Sequence, residues 1–154
     1  MRKSINPANI TGAEKNYRGA GAEHIAMGHW LIAGFPVAVP LTRKERYDFS
    51  VEVEGSTHLV ECKLGHFRSD HKGSTIRADL RSSDTGLNKV CEDISLIQVV
   101  HPVTYASYLV PATEAIGQKA IGISCSPSSQ FHSKKYTFLR TLNRLLAIDD
   151  PWVE

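Results

Sequence analysis

Cysteine is scarce in this chain of 154 residues: Cys62, Cys91 and Cys125 are all there is, widely spaced and never in a CxxC pair. An odd, scattered set excludes a zinc knuckle and a disulfide framework, and points to a reduced, intracellular protein. Long hydrophobic runs are missing too. Nowhere do the roughly eighteen successive apolar residues of a membrane helix occur, and the basic start "MRKSINPANI" has no apolar run behind it. A soluble cytoplasmic protein without a targeting signal is expected. Nor does charge of one sign dominate, since 18 Lys and Arg face 16 Asp and Glu for a formal net charge of +2. Bulk charge therefore announces no nucleic-acid partner, and any such case rests on local placement. The histidines form no HExxH or H-N-H pattern, and "PSSQFHS" holds Ser and His without a G-x-S-x-G elbow, which speaks against a zinc protease and a serine-hydrolase triad. Repeats, coiled coils and low-complexity tracts are absent.

What is present, 42% hydrophobic and 22% charged residues, suits one compact domain over residues 1–154 with a real core. Thr11 followed three residues later by Glu14 is a capping-box signal, so a helix is expected from there. Its segment "AEHIAMGHWLIA" is apolar nearly all the way round, which predicts a largely buried helix. "GFP" ends it, with Gly34 as the cap and Pro36 forbidding continuation. Extended runs follow at 37–39, 47–53, 58–64, 75–80, 94–100 and 108–110, with a weaker one at 121–124. The stretch "GHFRSDHKGS", 65–74, is polar and bounded by glycine, and reads as a surface loop. A last helix is expected over 133–147 with Leu139, Leu142, Leu145 and Leu146 facing inward. Helix, strands, helix predicts an α/β domain with a mixed central β-sheet flanked by helices.

Within "YDFSVEVEGSTHLVECK", Phe49, Val51 and Val53 share one strand face, and Val60, Cys62 and Leu64 share one face of the next. A tight turn at Gly55 and Ser56 pairs Val51 with Val60 and Phe49 with Cys62. The same register sets Asp48 opposite Lys63 and leaves Asp48 and Glu61 as diagonal neighbours, roughly 7 Å apart or less. A solvated hairpin face on which Lys63 neutralises Asp48 explains this equally well. Glu23 shifts the balance: its helical neighbours Met27, Trp30 and Leu31 are apolar, so its carboxylate needs a charged partner, a hydrogen-bond network or a metal. Such an oxygen-rich cluster suits Mg²⁺.

Taken together, "GAEHIAMGHWLIAGFPVAVP", "YDFSV" and "VECK" resemble the core of the PD-(D/E)XK nuclease superfamily: a helix glutamate, a strand aspartate and E-x-K ending the next strand. The likeness covers about residues 19–64, and "TIRADL" and "CEDISLIQVVHPVTYASYLVP" resemble the continuation in small members. The "GF-V-VP…YD" spacing is most similar to the short homing endonucleases of group I introns, with Holliday-junction resolvases next. This resemblance implies a restriction-endonuclease-like αβββαβ core and a Mg²⁺-dependent endodeoxyribonuclease in which Mn²⁺ substitutes. It implies metal-binding carboxylates at Asp48 and Glu61, the Cys62 backbone carbonyl as a further ligand, and Lys63 beside the attacking water. Glu23 would complete the site through a second ion or a metal-bound water. The intron-encoded relatives tend to carry Gln where Glu61 stands, so Glu61 departs from that subfamily while restoring the general nuclease pattern.

The chemistry suits these residue types. Phosphodiester hydrolysis needs a nucleophile at neutral pH and a counter-charge, and a bound metal supplies both. Lys63 either stabilises the nucleophile electrostatically or accepts its proton. The implied partner is double-stranded DNA, cut by a homo-oligomer, dimer or tetramer, because one active site cuts one strand; the implied host is prokaryotic or phage-infected. The alternatives are a junction resolvase selective for branched DNA, and a non-catalytic DNA-binding subunit on a nuclease-like fold. The intact set Glu23, Asp48, Glu61 and Lys63 argues against the second.

Local basic charge gathers at Arg68, Lys72, Arg77, Arg81 and Lys89. In "TIRADLR", Arg77, Asp79 and Arg81 share one face while Ile76, Ala78 and Leu80 face inward, a ribbon able to enter a major groove. A charge-protected edge strand is as good an explanation. On the last helix Arg140 and Arg144 make an ordinary solvated face, or phosphate contacts at most.

Overall fold

The computed structural model describes residues 12–42, 45–70, 73–80, 94–124, 126 and 129–147. In chain order these build helix α1 (Gly12–Ile32) and strands β1 (Val37–Ala38), β2 (Phe49–Val53), β3 (Ser56–Leu64), β4 (His66–Asp70), β5 (Gly73–Asp79), β6 (Leu96–Val100) and β7 (Ser107–Pro111). After a single 3₁₀ turn (Ala112–Glu114) come β8 (Ala120–Ser124), β9 (Phe131–His132) and helix α2 (Phe138–Leu145).

Glu14 lies in the first turn of α1, where its charge complements the helix dipole; its expected capping partner Thr11 is outside the described residues. At the other end Gly34 takes a φ of 94°, and the N–H groups of Gly34 and Phe35 donate to the Leu31 and Trp30 carbonyls, both at 3.0 Å. That is a Schellman stop, and the Phe35 ring closes it against Trp30 with centroids 5.9 Å apart. Only Ala22, Ala26 and Trp30, one residue per turn, are fully buried. Ile32 is 87% exposed and Leu31 is also in solvent. The expected largely buried helix is thus corrected to one lying on a single sheet face, its remaining apolar residues at the margin of the contact.

That sheet runs β1-β2-β3-β6-β7, with β3 and β6 parallel and the other neighbours antiparallel. Every residue of β6 is buried, as expected of a central strand covered on both faces. One face meets the helices through Trp30, Phe49, Val60, Leu96 and Leu142. The other, through Ile97, Val99 and Val110, packs against Ile76, Ala78, Ile121 and Ile123 of a second sheet ordered β4-β5-β8-β9. The sequence foresaw helices beside a mixed sheet, but not this second β-layer. In the segment expected to be a loop, His66–Asp70 is strand β4 and Gly73 opens β5, with His66 across from Arg77 and Arg68 across from Thr75.

Gly65 is the corner between the two sheets. Its N–H donates to the Val100 carbonyl at 2.9 Å, and a Cβ there would sit inside the contact distance of Ile76 Cγ2. Only glycine lets the chain leave one sheet and enter the other so abruptly.

The β2–β3 turn is made by Glu54 and Gly55, with φ of 50° and 80°, the two left-handed residues of a type I′ turn. Phe49 therefore pairs with Val60 and Val51 with His58, two residues away from the expected register. An even slip keeps every side chain on its face. The last helix starts at Phe138 rather than Ser133, because Tyr136 and Thr137 are held extended against β7: Leu109 N–H donates to Tyr136 O at 2.9 Å, and Tyr108 bridges Thr137. The Thr137 side chain caps the helix by accepting from Arg140 N–H. Leu142 is buried and Leu145 and Leu146 pack on the core, but Leu139 is 66% exposed, contrary to expectation; in the first turn it points off the contact face.

A polar chain ties α1 to the sheet. The Trp30 indole N–H donates to Gln98 Oε1 at 2.9 Å, and Gln98 Nε2 donates to Ser107 Oγ at 2.8 Å, which lies 2.6 Å from His29 Nδ1. Gln98 is wholly buried, and its satisfied amide fixes how the helix sits on β6 and β7.

Candidate active site

Asp48 immediately precedes β2. Its N–H donates to the Val60 carbonyl at 2.9 Å, and its Oδ2 accepts from the Cys62 N–H at 2.7 Å. Continuing the Phe49–Val60 pairing by one step sets Asp48 across from Glu61, so the expected Asp48–Lys63 cross-strand pair is corrected: the two carboxylates face one another and Lys63 is the diagonal neighbour. The cause is the left-handed Glu54, which moves the turn. On β3, Val60 and Cys62 go to the helix side, while Glu61 and Lys63 lie level with Ile97 and Val99. Glu61 is only 7% exposed, and its Oε1 is 2.9 Å from Lys63 Nζ.

Glu23 joins from α1, next to the buried Ala22. Its charge acts on both Asp48 and Cys62. The structure thus brings together all four residues singled out in the sequence, from a helix and two strands. Burial, with the Glu61 and Glu23 charges in support, raises the Asp48 carboxyl to about 6, against the pull of the Cys62 N–H and of Lys63. Burial likewise pushes the Cys62 thiol far up, so it stays neutral and packs as an apolar side chain. The charges of Glu61 and Glu23 thus bear on a half-buried Asp48, with the Lys63 ammonium beside Glu61.

A set of carboxylate oxygens is the kind of donor a hard dication takes. Among the described residues no three His, Cys, Asp or Glu side chains stand close enough to enclose a metal as they are. Glu61 Oε1 lies against Lys63, and Asp48 Oδ2 accepts from the Cys62 N–H.

Arg68 projects from β4 and Arg77 from β5 on the outer face of the second sheet, with His66 between them, while Ile76, Ala78 and Leu80 are buried as expected. Lys72, Arg81 and Lys89 lie outside the described residues. On the last helix, Arg140 Nη1 donates to Lys134 O at 3.1 Å, and Arg144 donates to Thr141 Oγ1 at 3.2 Å and lies 5.3 Å over the Tyr136 ring. Both guanidiniums serve their own fold. Phe67, on a segment whose polar residues suggest a loop, is exposed on β4.

A sequence profile described as PD-(D/E)XK endonuclease matches residues 13–140. Among solved structures, a bacterial homing endonuclease, I-Ssp6803I, superposes with a TM-score of 0.67 at 20% identity, over 86% of this chain and 95% of that one. At that identity the likeness is one of fold. No curated protein sequence matches.

Proposed function

Because the chain belongs to the PD-(D/E)XK endonuclease family, whose members cut DNA with the help of divalent metal ions, we propose that it is a site-specific endonuclease of the homing type. In this reading it works with Mg²⁺, which Mn²⁺ replaces, and makes double-strand cuts as a homo-oligomer. The observation that carries the reading is the facing pair Asp48 and Glu61, with Lys63 bound to one and Glu23 charging the other.

Asp48, Glu61 and the Cys62 carbonyl would hold the ion, with Glu23 completing the set. Once bound, the ion would supply a nucleophile at neutral pH and a counter-charge for the phosphate. Asp48 is oriented for this by the Cys62 N–H, which fixes its carboxylate plane. Lys63 follows Cys62 on β3 with its ammonium 2.9 Å from Glu61, and in this reading it would stand beside the attacking oxygen. There it either stabilises that oxygen or takes its proton. The scissile bond breaks to leave a 5′-phosphate.

The test is incubation of the protein with linear duplex, plasmid or four-way-junction DNA, in Mg²⁺ or in EDTA. Defined cuts in duplex that vanish in EDTA support the reading. Cutting of the junction alone makes the protein a resolvase, and binding without cutting makes it a non-catalytic DNA-binding subunit.

A further inference from the structure

Every residue of β6 is buried, and all are apolar but the central one, Gln98. A buried amide costs free energy unless its polar groups find partners, a risk that an apolar side chain of the same size does not carry. Here the partners are found. Gln98 Oε1 accepts from the Trp30 indole N–H at 2.9 Å, while Nε2 donates to Ser107 Oγ at 2.8 Å and to the Ala26 carbonyl at 3.4 Å. An indole nitrogen only donates, so Trp30 fixes which end of the amide is oxygen. One side chain of the sheet therefore holds α1 at two successive turns, Ala26 and Trp30.

The rest of the contact between α1 and the sheet is smooth. Ala22 and Ala26 bring one methyl each to a cluster that includes Val60, Cys62, Leu96 and Val100, with Ile25 and Met27 only partly buried beside them. Such a contact resists separation but not sliding, since the hydrophobic effect has no direction. Hydrogen bonds do have one. The axial position and rotation of α1 are thus set at Trp30, which Phe35 and Phe138 also brace at ring-centroid distances of 5.9 and 4.9 Å. Glu23 rides on the same helix, about 10 Å before Trp30 at the α-helical rise, and its charge acts on Asp48. Gln98 is also the ladder partner of Cys62, whose N–H holds Asp48 Oδ2. A slide of α1 by about 1 Å would carry Glu23 with it, and a misplacement of that size in an active site can cost on the order of a hundredfold in rate.

We propose that Gln98 is a positioning residue for the candidate active site: through Trp30 and Ala26 it fixes where α1 stands on the sheet, and so where Glu23 stands relative to Asp48 and Glu61. The proposal rests on the nuclease reading above and adds to it a residue outside the carboxylate cluster.

The test is Gln98→Leu, with Gln98→Met as a second variant that fills the place of the amide more closely, each assayed at a temperature where melting shows it folded. Single-turnover cleavage of plasmid DNA in Mg²⁺ gives the rate, and anisotropy of a fluorescein-labelled duplex in EDTA gives the DNA affinity. Each variant is expected to cut on the order of tenfold to a hundredfold more slowly and to bind DNA as the parent does. A merely structural role lowers the melting temperature and leaves the rate of the folded protein unchanged; that result overturns the proposal and spares the nuclease reading, as does a rate lost together with DNA affinity. The same substitutions are then made in Glu23→Asp, which keeps a carboxylate but draws it back towards the helix. Acting through Glu23, the loss there shrinks to less than about threefold. An equal loss in both backgrounds means that Gln98 acts elsewhere, and the proposal falls. A parent that neither binds nor cuts DNA overturns the nuclease reading and the proposal with it.

Discussion

Replacing Asp48 by asparagine should stabilise the metal-free protein while disabling the site. The amide keeps an oxygen for the Cys62 N–H, now at 2.7 Å from Asp48 Oδ2, and removes a charge that burial, Glu61 and Glu23 all oppose. A carboxyl moved from 3.8 to about 6 carries a penalty of about 3 kcal/mol in its ionised form, trimmed to about 2 kcal/mol by solvent at its exposed edge. The folded protein holds this proton more tightly than the unfolded chain does. The associated stability is therefore full below about pH 4 and is lost as pH rises to about 6. Urea denaturation in EDTA between pH 4 and 8 should show the parent weakening across that window relative to Asp48→Asn. Near pH 7.5 the variant should be more stable by about 2 kcal/mol, or melt about 6 °C higher for a chain of this size. Adding Mg²⁺ should stabilise the parent and not the variant. A variant less stable than the parent at pH 7.5 in EDTA, with parallel pH profiles, would refute the charge-crowding argument.

Gly65→Ala should cost about 1–3 kcal/mol in urea denaturation, since its Cβ meets Ile76 and the corner cannot widen without separating the sheets. Gln98→Leu leaves the Trp30 indole N–H without its partner and takes one of two from Ser107 Oγ, which keeps His29; a loss of about 2 kcal/mol is expected by the same method. Arg68→Gln and Arg77→Gln should each lower DNA affinity across all sequences and reduce the salt slope by about one phosphate contact if they touch the backbone. A change of preferred bases with the slope intact would instead mean that they read base edges.

Much of the site was legible because strand alternation and helix spacing survive errors of register. The β2–β3 turn slipped by two residues, yet Glu61 and Lys63 stayed on their face, since the slip was even. What changed was the partner: Asp48 met Glu61 instead of Lys63. That depended on Glu54 adopting a left-handed conformation, which nothing about a glutamate announces. The β4 strand is hard to see in the sequence for another reason. "HFRSD" turns His66 and Arg68 to an outer face and sits at a sheet edge, so the apolar signal of a strand is reduced there to Phe67. The apolar content of α1 exceeds its burial because such content says how many residues are available to a core, not how many sides of a helix have a neighbour. The short α2 shows the converse. Tyr136 and Thr137 were absorbed into pairing with β7, where tertiary contact overrode helical spacing.

The central claim is that Asp48 and Glu61, drawn from adjoining strands, together grip a divalent cation. Titration of Mn²⁺ into the parent, Asp48→Asn and Glu61→Gln, followed by electron paramagnetic resonance, measures this directly. Saturable binding by the parent that falls at least tenfold in either variant is the predicted result; a parent that leaves Mn²⁺ free, or variants that bind it equally well, would contradict it.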